Sequence, residues 1–289
     1  FLGLLMQSLV DGILIGGIYG LIGIGLTLIF GVMKIINFAQ GALMMLGMYV
    51  TYWLFTLLGM NPYLSLPFSA IALFLLGALI QRGVMERVLD APEHNQLLVT
   101  MGLMLILENA ALVLFSPDFR TVKVESLSGV LALGNIHFEK TKVIAFAFAL
   151  LLTFFLYWFL QNTYLGKAIR AVAIDRDGAA LSGIQVRRVN MITFGIGAAL
   201  AAVAGTLITP FLYITPTVGE VFILKAFVVV VLGGLGNFFG ALVGGLIIGV
   251  SESLTSVYVP GNYKELATFL IFILVLLFRP TGLFGRKER

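Results

Sequence analysis

The feature that most constrains this sequence is a set of long apolar runs without a single charged residue. Residues 12–33 and 35–81 contain no Asp, Glu, Lys or Arg. In the whole chain 11% of residues are charged, against about 25% in an ordinary soluble domain. A soluble enzyme, a disordered protein and a nucleic-acid-binding protein are therefore excluded, because none of them could cover its surface with so few charges.

The charged residues divide the chain into pieces that match a membrane. A transmembrane helix needs about 20 mostly apolar residues, and the run 35–81 has room for two such helices with a turn near Gly59–Pro62. The pattern predicts an all-α integral membrane protein with one domain over residues 1–289 and about nine spans, with eight as the alternative. The expected spans are 5–30, 41–58, 63–82, 97–115, 143–161, 188–214, 221–235, 238–254 and 264–278.

The distribution of Lys and Arg predicts the orientation, because cytoplasmic loops are enriched in both. One set of segments holds 12 basic residues and the other set holds 5. We expect the richer set, the C-terminus included, on the cytoplasmic side and the N-terminus outside. A re-entrant break at 31–41 would change only the side of the N-terminus. The richer set comprises 30–40, Arg82 with 83–96, 162–188 and 279–289.

The span order predicts internal symmetry. Four spans precede the fifth and four follow it, so the two groups run in opposite directions, as in the inverted repeats of many transporters. Asn37-Phe38 with Gly41 faintly resembles Asn237-Phe238 with Gly240. We expect inverted repeats, and on the sequence alone two unrelated groups of four helices remain the alternative.

A few polar residues within the apolar runs are candidates for the translocation path. Polar side chains in the lipid core face the bundle interior, and the surroundings of Asn37, between Gly31 and Gly41, indicate irregular backbone, which needs a cavity or protein around it. Tight glycine packing between helices is the alternative explanation. The path candidates are Tyr19, Asn37 and Gln40, with Glu108 or Asn109 nearby.

The segment 162–188 is too polar to span and too regular for a plain linker. Its alanines favour helix, Asp175 or Asp177 can cap a second short helix, and Gly183 can end it. Two short helices with apolar residues in a basic loop favour docking onto a soluble partner. A solvated loop that only obeys the orientation rule is the alternative.

Lys225 and Glu252 lie near the ends of two spans that are neighbours and antiparallel. We expect them to form a structural ion pair. The alternative is function, because ionisable residues inside a membrane are costly and usually mark a site.

The sequence lacks the residue patterns that metal binding, phosphate binding and serine catalysis need. The chain has no cysteine, and its two histidines, His94 and His137, are far apart, so we expect no metal site. No phosphate-binding loop of the form G-x-x-x-x-G-K-[ST] occurs, and no serine nucleophile motif is complete. We therefore expect neither catalysis nor a cofactor in this chain.

With these motifs in view, the chain resembles the permease subunit of bacterial branched-chain amino acid ABC importers, of the LivH type. The resemblance covers nearly the whole chain, and several motifs occur in the same order. The similar segments are 19–27, 36–41, 166–171, 180–184, 201–205, 225–227, 232–236 and 280–285.

The resemblance implies an inner-membrane protein with the ABC importer permease fold and several partners. These are a homologous second permease, two cytoplasmic ATPases that bind the ATP, and a periplasmic substrate-binding protein. It makes 162–188 the coupling loop. The residues expected to touch the ATPase are Arg170, Asp175, Arg176, Asp177, Leu181 and Gly183.

The function predicted is the import of branched-chain or other neutral amino acids. One alternative is an ABC permease for urea or short amides, which relatives in the same family import. Another is a secondary transporter driven by an ion gradient, with Glu108 and Glu252 as coupling sites. A membrane structural or channel protein is the third.

Overall fold

A computed structural model describes residues 2–124, 129–133, 136–259, 264–279 and 281–285 of the chain. Within these residues nine long helices follow one another in the predicted order, so the all-α membrane fold is confirmed. Seven are long and apolar enough to cross a membrane, and α9 and α11 are shorter. The elements are α1 (Leu2–Met33), α2 (Gln40–Leu58), α3 (Leu66–Gly83), α4 (Glu93–Phe115), β1 (Val130–Leu133), β2 (Ile136–Glu139), α5 (Lys140–Asn162), α6 (Tyr164–Ile174), α7 (Arg176–Leu181), α8 (Val186–Ile208), α9 (Val218–Gly233), α10 (Phe238–Tyr258) and α11 (Lys264–Phe278).

The glycine-rich segment between α9 and α10 forms a tight turn between the spans expected at 221–235 and 238–254. Gly234 and Gly236 have φ angles of 98° and 85°, a region that side chains with a Cβ rarely adopt. Asn237 then caps α10, because its Oδ1 accepts a hydrogen bond from the Gly240 amide at 3.0 Å. The two helices consequently leave the turn as close neighbours.

Glycines hold α1 against α10, which is the most extensive helix contact in the described chain. A Cβ on Gly249 would lie 2.5 Å from the Gly16 Cα, and one on Gly16 would lie 2.8 Å from the Gly245 carbonyl oxygen. Side chains at these positions would push the backbones apart. The spacing of Gly245 and Gly249, four residues apart on α10, is one that allows such close packing.

The helix contacts have the exchange pattern of two related halves. The second most extensive contact joins α3 to α8. If α1–α4 are matched in order with α8–α11, then α3 corresponds to α10 and α8 corresponds to α1. The contact of α3 with α8 is therefore the counterpart of the contact of α10 with α1. Gly41 and Gly219 are each the second residue of their helix, α2 and α9, and a Cβ on Gly219 would lie 2.6 Å from the Gly41 carbonyl carbon. This pattern supports the expected inverted repeats.

Two boundaries differ from the prediction. The span expected at 188–214 ends as helix at Ile208, and the backbone of Ile214 instead pairs with that of Arg120. The linker 116–142 holds a short antiparallel hairpin in which Val130 lies opposite Glu139. In both places the segment contains apolar residues, but its backbone forms β-type hydrogen bonds with another segment instead of a helix.

One end of the bundle, called the loop end below, carries the segments 34–39, 84–92, 163–185, 234–237 and 281–285. Arg176 reaches the second of these through Asp90 at 3.1 Å. Leu283 donates its amide to the Leu232 carbonyl at 2.8 Å, which ties the last described segment to the end of α9. The segments predicted to share one side of the membrane thus lie together.

Candidate functional site

A network of hydrogen bonds around one buried ion pair lies between α1, α9, α10 and α11. Lys225 Nζ lies 2.8 Å from Glu252 Oε2 and 3.1 Å from the Tyr19 hydroxyl oxygen. The Tyr19 hydroxyl donates to Glu252 Oε2 at 3.0 Å, and the Thr268 hydroxyl donates to Glu252 Oε1 at 2.9 Å. We call these four residues the ion-pair network.

The fold brings this network together in two ways. Lys225 and Glu252 meet because α9 and α10 run antiparallel from the glycine turn. Tyr19 joins them because its helix contacts α10 through glycines, and its ring also lies under the lysine, with Nζ 4.9 Å from the ring centroid. Lys225 and Glu252 are only 8% and 7% exposed, and a buried ion pair is tolerated when further hydrogen bonds satisfy it.

A cavity of about 140 Å³, called the α9–α11 cavity below, opens beside the network. Lys225, Glu252 and Thr268 form its polar floor. Its other lining residues are two carboxylates, Glu220 and Glu265, and an apolar wall of Val221, Leu224, Val228 and Phe269. The cavity therefore combines both signs of charge with an aliphatic and aromatic surface.

Glu108 and Asn109 point in different directions. Glu108 is buried, its carboxyl lies within hydrogen-bonding reach of the Glu220 carboxyl, and its Oε1 has no hydrogen-bond partner. Asn109 is exposed on the outside of α4 and donates only to the Leu105 carbonyl of its own helix. Glu108 thus reaches the edge of the α9–α11 cavity through Glu220, whereas Asn109 does not join it.

Asn37 and Gln40 form a second, separate polar cluster in the turn between α1 and α2. The Asn37 amide donates to Gln40 Oε1 at 3.3 Å and its Oδ1 accepts from the Ala39 amide at 3.2 Å. Gln40 donates to the Gly197 carbonyl of α8 at 2.9 Å. Lys34 opens the turn with a φ angle of 58°. The backbone here is irregular, as expected, and is buried in protein.

The structure does not bring all path candidates together. Tyr19 belongs to the ion-pair network, whereas the Gln40 side chain lies against α1 beside Gly25, with its Nε2 2.7 Å from where a Cβ of Gly25 would be. Gly25 is six residues from Tyr19, which is about 9 Å along the helix. A path that passes both clusters would meet them one after the other.

The predicted coupling loop folds as two short helices, α6 and α7, which confirms the helical interpretation. Asp175 is the residue that caps α7, because its Oδ1 accepts from the amides of Asp177 and Gly178 at 3.1 and 3.0 Å. Gly183 follows α7 with a φ of 83°. The geometry of this loop is therefore fixed by its own sequence.

The surface of the loop is unusually apolar at two positions. Ile174 is 87% and Leu181 is 91% exposed, whereas Ile169, in the same apolar pattern, is buried against the bundle. Asp177 is exposed beside them. Arg170 is partly buried and lines a cavity with Lys34 and Gly31 at the loop end. Bare side chains on a rigid, capped loop are typical of a docking surface.

Comparison with known proteins decides the family. Residues 8–278 match the model of the family described as branched-chain amino acid transport system / permease component. The chain belongs to this family. Among the described residues of this permease, no group of three or more His, Cys, Asp or Glu could hold a metal ion.

Curated relatives of this permease match over nearly its full length. It is 35% identical to the high-affinity branched-chain amino acid transport system permease protein BraD of Pseudomonas aeruginosa, with 98% of this chain and 96% of the relative covered. It is 36% identical to LivH of Escherichia coli over the same shares. The probable LivH of Methanocaldococcus jannaschii is 31% identical, with 92% and 88% covered. No solved structure matches the chain.

Three members of the site were not singled out from the sequence as site residues. Glu220, Glu265 and Thr268 were visible only as polar residues near the starts of spans. A charge in the first turn of a helix is ordinary at a membrane surface, so no local signal distinguished them. Their role depends on which helices become neighbours.

Proposed function

We propose that this permease is the membrane subunit of an ATP-driven importer of branched-chain or other neutral amino acids. Its partners are a homologous second permease, two cytoplasmic ATPases and a periplasmic binding protein. It resides in the bacterial inner membrane, and the loop end, with the C-terminus, faces the cytoplasm. The names of its relatives support the class of substrate.

The observation that carries the coupling part of this proposal is the capped α6–α7 loop. Ile169 and Val172 of α6 are buried against the bundle, so movement of the loop is passed to the helices around it. Ile174 and Leu181 are the surface that an ATPase would cover. Closure of the ATPases on ATP would then push the loop and rock the bundle between outward-facing and inward-facing states.

The two polar clusters supply the lining of the path within this subunit. Tyr19 and Glu108 are near its outer part, and Asn37 and Gln40 near its inner part. Neither cluster binds a substrate tightly by itself, because most of their polar atoms are already paired within the protein. Weak contact suits a solute that must be released on the other side.

The test is ATP-dependent leucine uptake into proteoliposomes that contain this permease, its partner permease, the ATPases and the binding protein. A Leu181→Cys variant should cross-link to a cysteine on the ATPase. Leu58→Cys is the matched control, since Leu58 is also well exposed, at 67%, but lies at the opposite end of the bundle.

Other outcomes would replace the proposal. Uptake by the isolated permease under an ion gradient, without ATPases, would identify a secondary transporter. Uptake of urea in place of leucine by the full complex would identify an amide importer. Free labelling of the exposed loop positions 174, 177 and 181 by a bulky reagent in the intact complex would remove the coupling role of the loop.

A further inference from the structure

The α9–α11 cavity has more negative charge than its ion pair accounts for. Lys225, the one cation among its lining residues, is paired with Glu252. No described cation forms an ion pair with Glu220 or Glu265, which line the same cavity, and Glu220 lies beside another carboxyl, that of Glu108. An isolated excess of carboxylate in a membrane bundle is costly, so a solute that brings positive charge is favoured there.

Lys225 keeps one donor for a further partner. An ammonium group has three N–H donors, and two of them are directed to Glu252 and Tyr19. Lys225 lines the cavity, so we expect the remaining donor to be available to an acceptor that enters. Positive and negative groups of one small solute can therefore both be satisfied.

The apolar wall excludes a simple ion as the best occupant. Val221, Leu224, Val228 and Phe269 offer no ligand to a metal cation, but they can bury an aliphatic group. Urea and short amides carry no charge for the carboxylates, and they have no alkyl group or only a small one for this wall. The solute that matches all three features is a zwitterion with an aliphatic side chain.

The cavity also lies on the side where substrate would arrive. Glu220 and Glu265 are in the first turns of α9 and α11. The far ends of both helices, Gly233 and Phe278, lie at or next to the loop end. The cavity is therefore in the half of the bundle remote from the coupling loop.

We propose that the α9–α11 cavity is a transit site for amino acids with aliphatic side chains. Glu220 and Glu265 accept hydrogen bonds from the α-ammonium group, Lys225 donates to the α-carboxylate, and the apolar wall contacts the side chain. The inference rests on the proposed function and adds which residues recognise each part of the substrate.

The first experiment compares leucine uptake by the reconstituted complex for matched pairs of variants. Glu265→Gln should lower uptake about tenfold, as expected for the loss of one charge-assisted hydrogen bond, and Val228→Phe should lower it by filling the cavity. Glu93→Gln is the control for the first, because Glu93 is an exposed glutamate in the first turn of α4. Val113→Phe on the exposed face of α4 is the control for the second. Both controls should import leucine at the wild-type rate.

A labelling experiment separates recognition from a structural effect. In a Leu224→Cys complex, leucine should protect the thiol from a water-soluble maleimide. The carboxylate analogue 4-methylpentanoate, the amine 3-methylbutylamine and urea should each protect it far less, because each lacks at least one of the three features. This labelling experiment also tests whether the cavity recognises leucine if Glu265→Gln or Val228→Phe fails to assemble.

Two results overturn the inference while the proposed function stands. One is wild-type leucine uptake by both Glu265→Gln and Val228→Phe in a complex that imports leucine. The other is equal protection by leucine and 3-methylbutylamine, which would identify a site for cations alone. A wild-type complex that does not import leucine would instead contradict the proposed function.

Discussion

Two ion pairs in this permease join similar groups in opposite surroundings. Lys225 and Glu252 meet inside the bundle, where their side chains are 9% and 8% exposed. Arg176 and Asp90 meet at the loop end with side chains 49% and 85% exposed. The first pair is surrounded by the hydroxyls of Tyr19 and Thr268, whereas Arg176 and Asp90 are in contact with water.

The difference shows that the N–O distance alone does not say which ion pair contributes more to stability. The N–O separations are 2.8 and 3.1 Å, yet the loss of one partner has different consequences. Water replaces a lost partner at the surface, whereas in the bundle the remaining charge keeps only the neighbouring polar groups, such as the hydroxyls of Tyr19 and Thr268. The buried pair should therefore determine whether the helices assemble. The surface pair should have only a small effect on the position of the loop.

The largest effect is expected for Glu252→Ala. It leaves the buried Lys225 ammonium without the carboxylate it is paired with, which should lower the free energy of unfolding by about 3–5 kcal/mol. Thermal unfolding of the purified protein in detergent, together with the amount found in the membrane, measures this. The double variant Lys225→Met/Glu252→Leu should be milder than either single change, and additive losses would contradict a coupled pair.

A smaller effect is expected for Asp175→Ala in the loop. The change removes the acceptor for the first amides of α7, and the loss of such a cap costs about 1 kcal/mol. Hydrogen exchange of residues 176–181 should accelerate while exchange in the spanning helices stays unchanged. Gln185→Ala serves as the control, because Gln185 is exposed beyond α7 and its side chain makes no capping hydrogen bond. Equal acceleration in both variants would show that the cap is not what holds this helix.

The smallest effect is expected for Arg176→Ala. An exposed ion pair contributes about 0–1 kcal/mol, so the unfolding temperature in detergent should hardly move. Raising the salt concentration should reduce the remaining difference in unfolding temperature between this variant and the wild type. A loss as large as that of Glu252→Ala would overturn the contrast between buried and exposed pairs.

The sequence predicts this fold well where the signal is local. Charge spacing located the long helices, and Asp175 or Asp177 together with Gly183 indicated the ends of α7, of which the structure selects Asp175 as the cap. Each of these follows from a few neighbouring residues and the preferences of their backbones. The proximity of Lys225 to Glu252 followed from one further step, the antiparallel order of consecutive helices.

The rest depends on contacts between distant segments. Tyr19 meets Glu252 because α1 lies against α10, and no spacing in the sequence specifies that choice of neighbour. Asn109 was grouped with Glu108 because the two are adjacent, yet adjacent residues on a helix point about 100° apart. Only one of them could face the interior, and the local sequence does not say which.

The glycine contact between α1 and α10 also has a consequence for biosynthesis. Gly16 enters the membrane early, and Gly249 is synthesised 233 residues later. At a translation rate of about 5–20 residues per second, α1 waits roughly 10–50 s for its main neighbour. During that interval its glycine face is open to lipid or to a chaperone of the insertion machinery. Ribosome stalling before α10 should therefore leave a chain that the membrane quality-control proteases recognise.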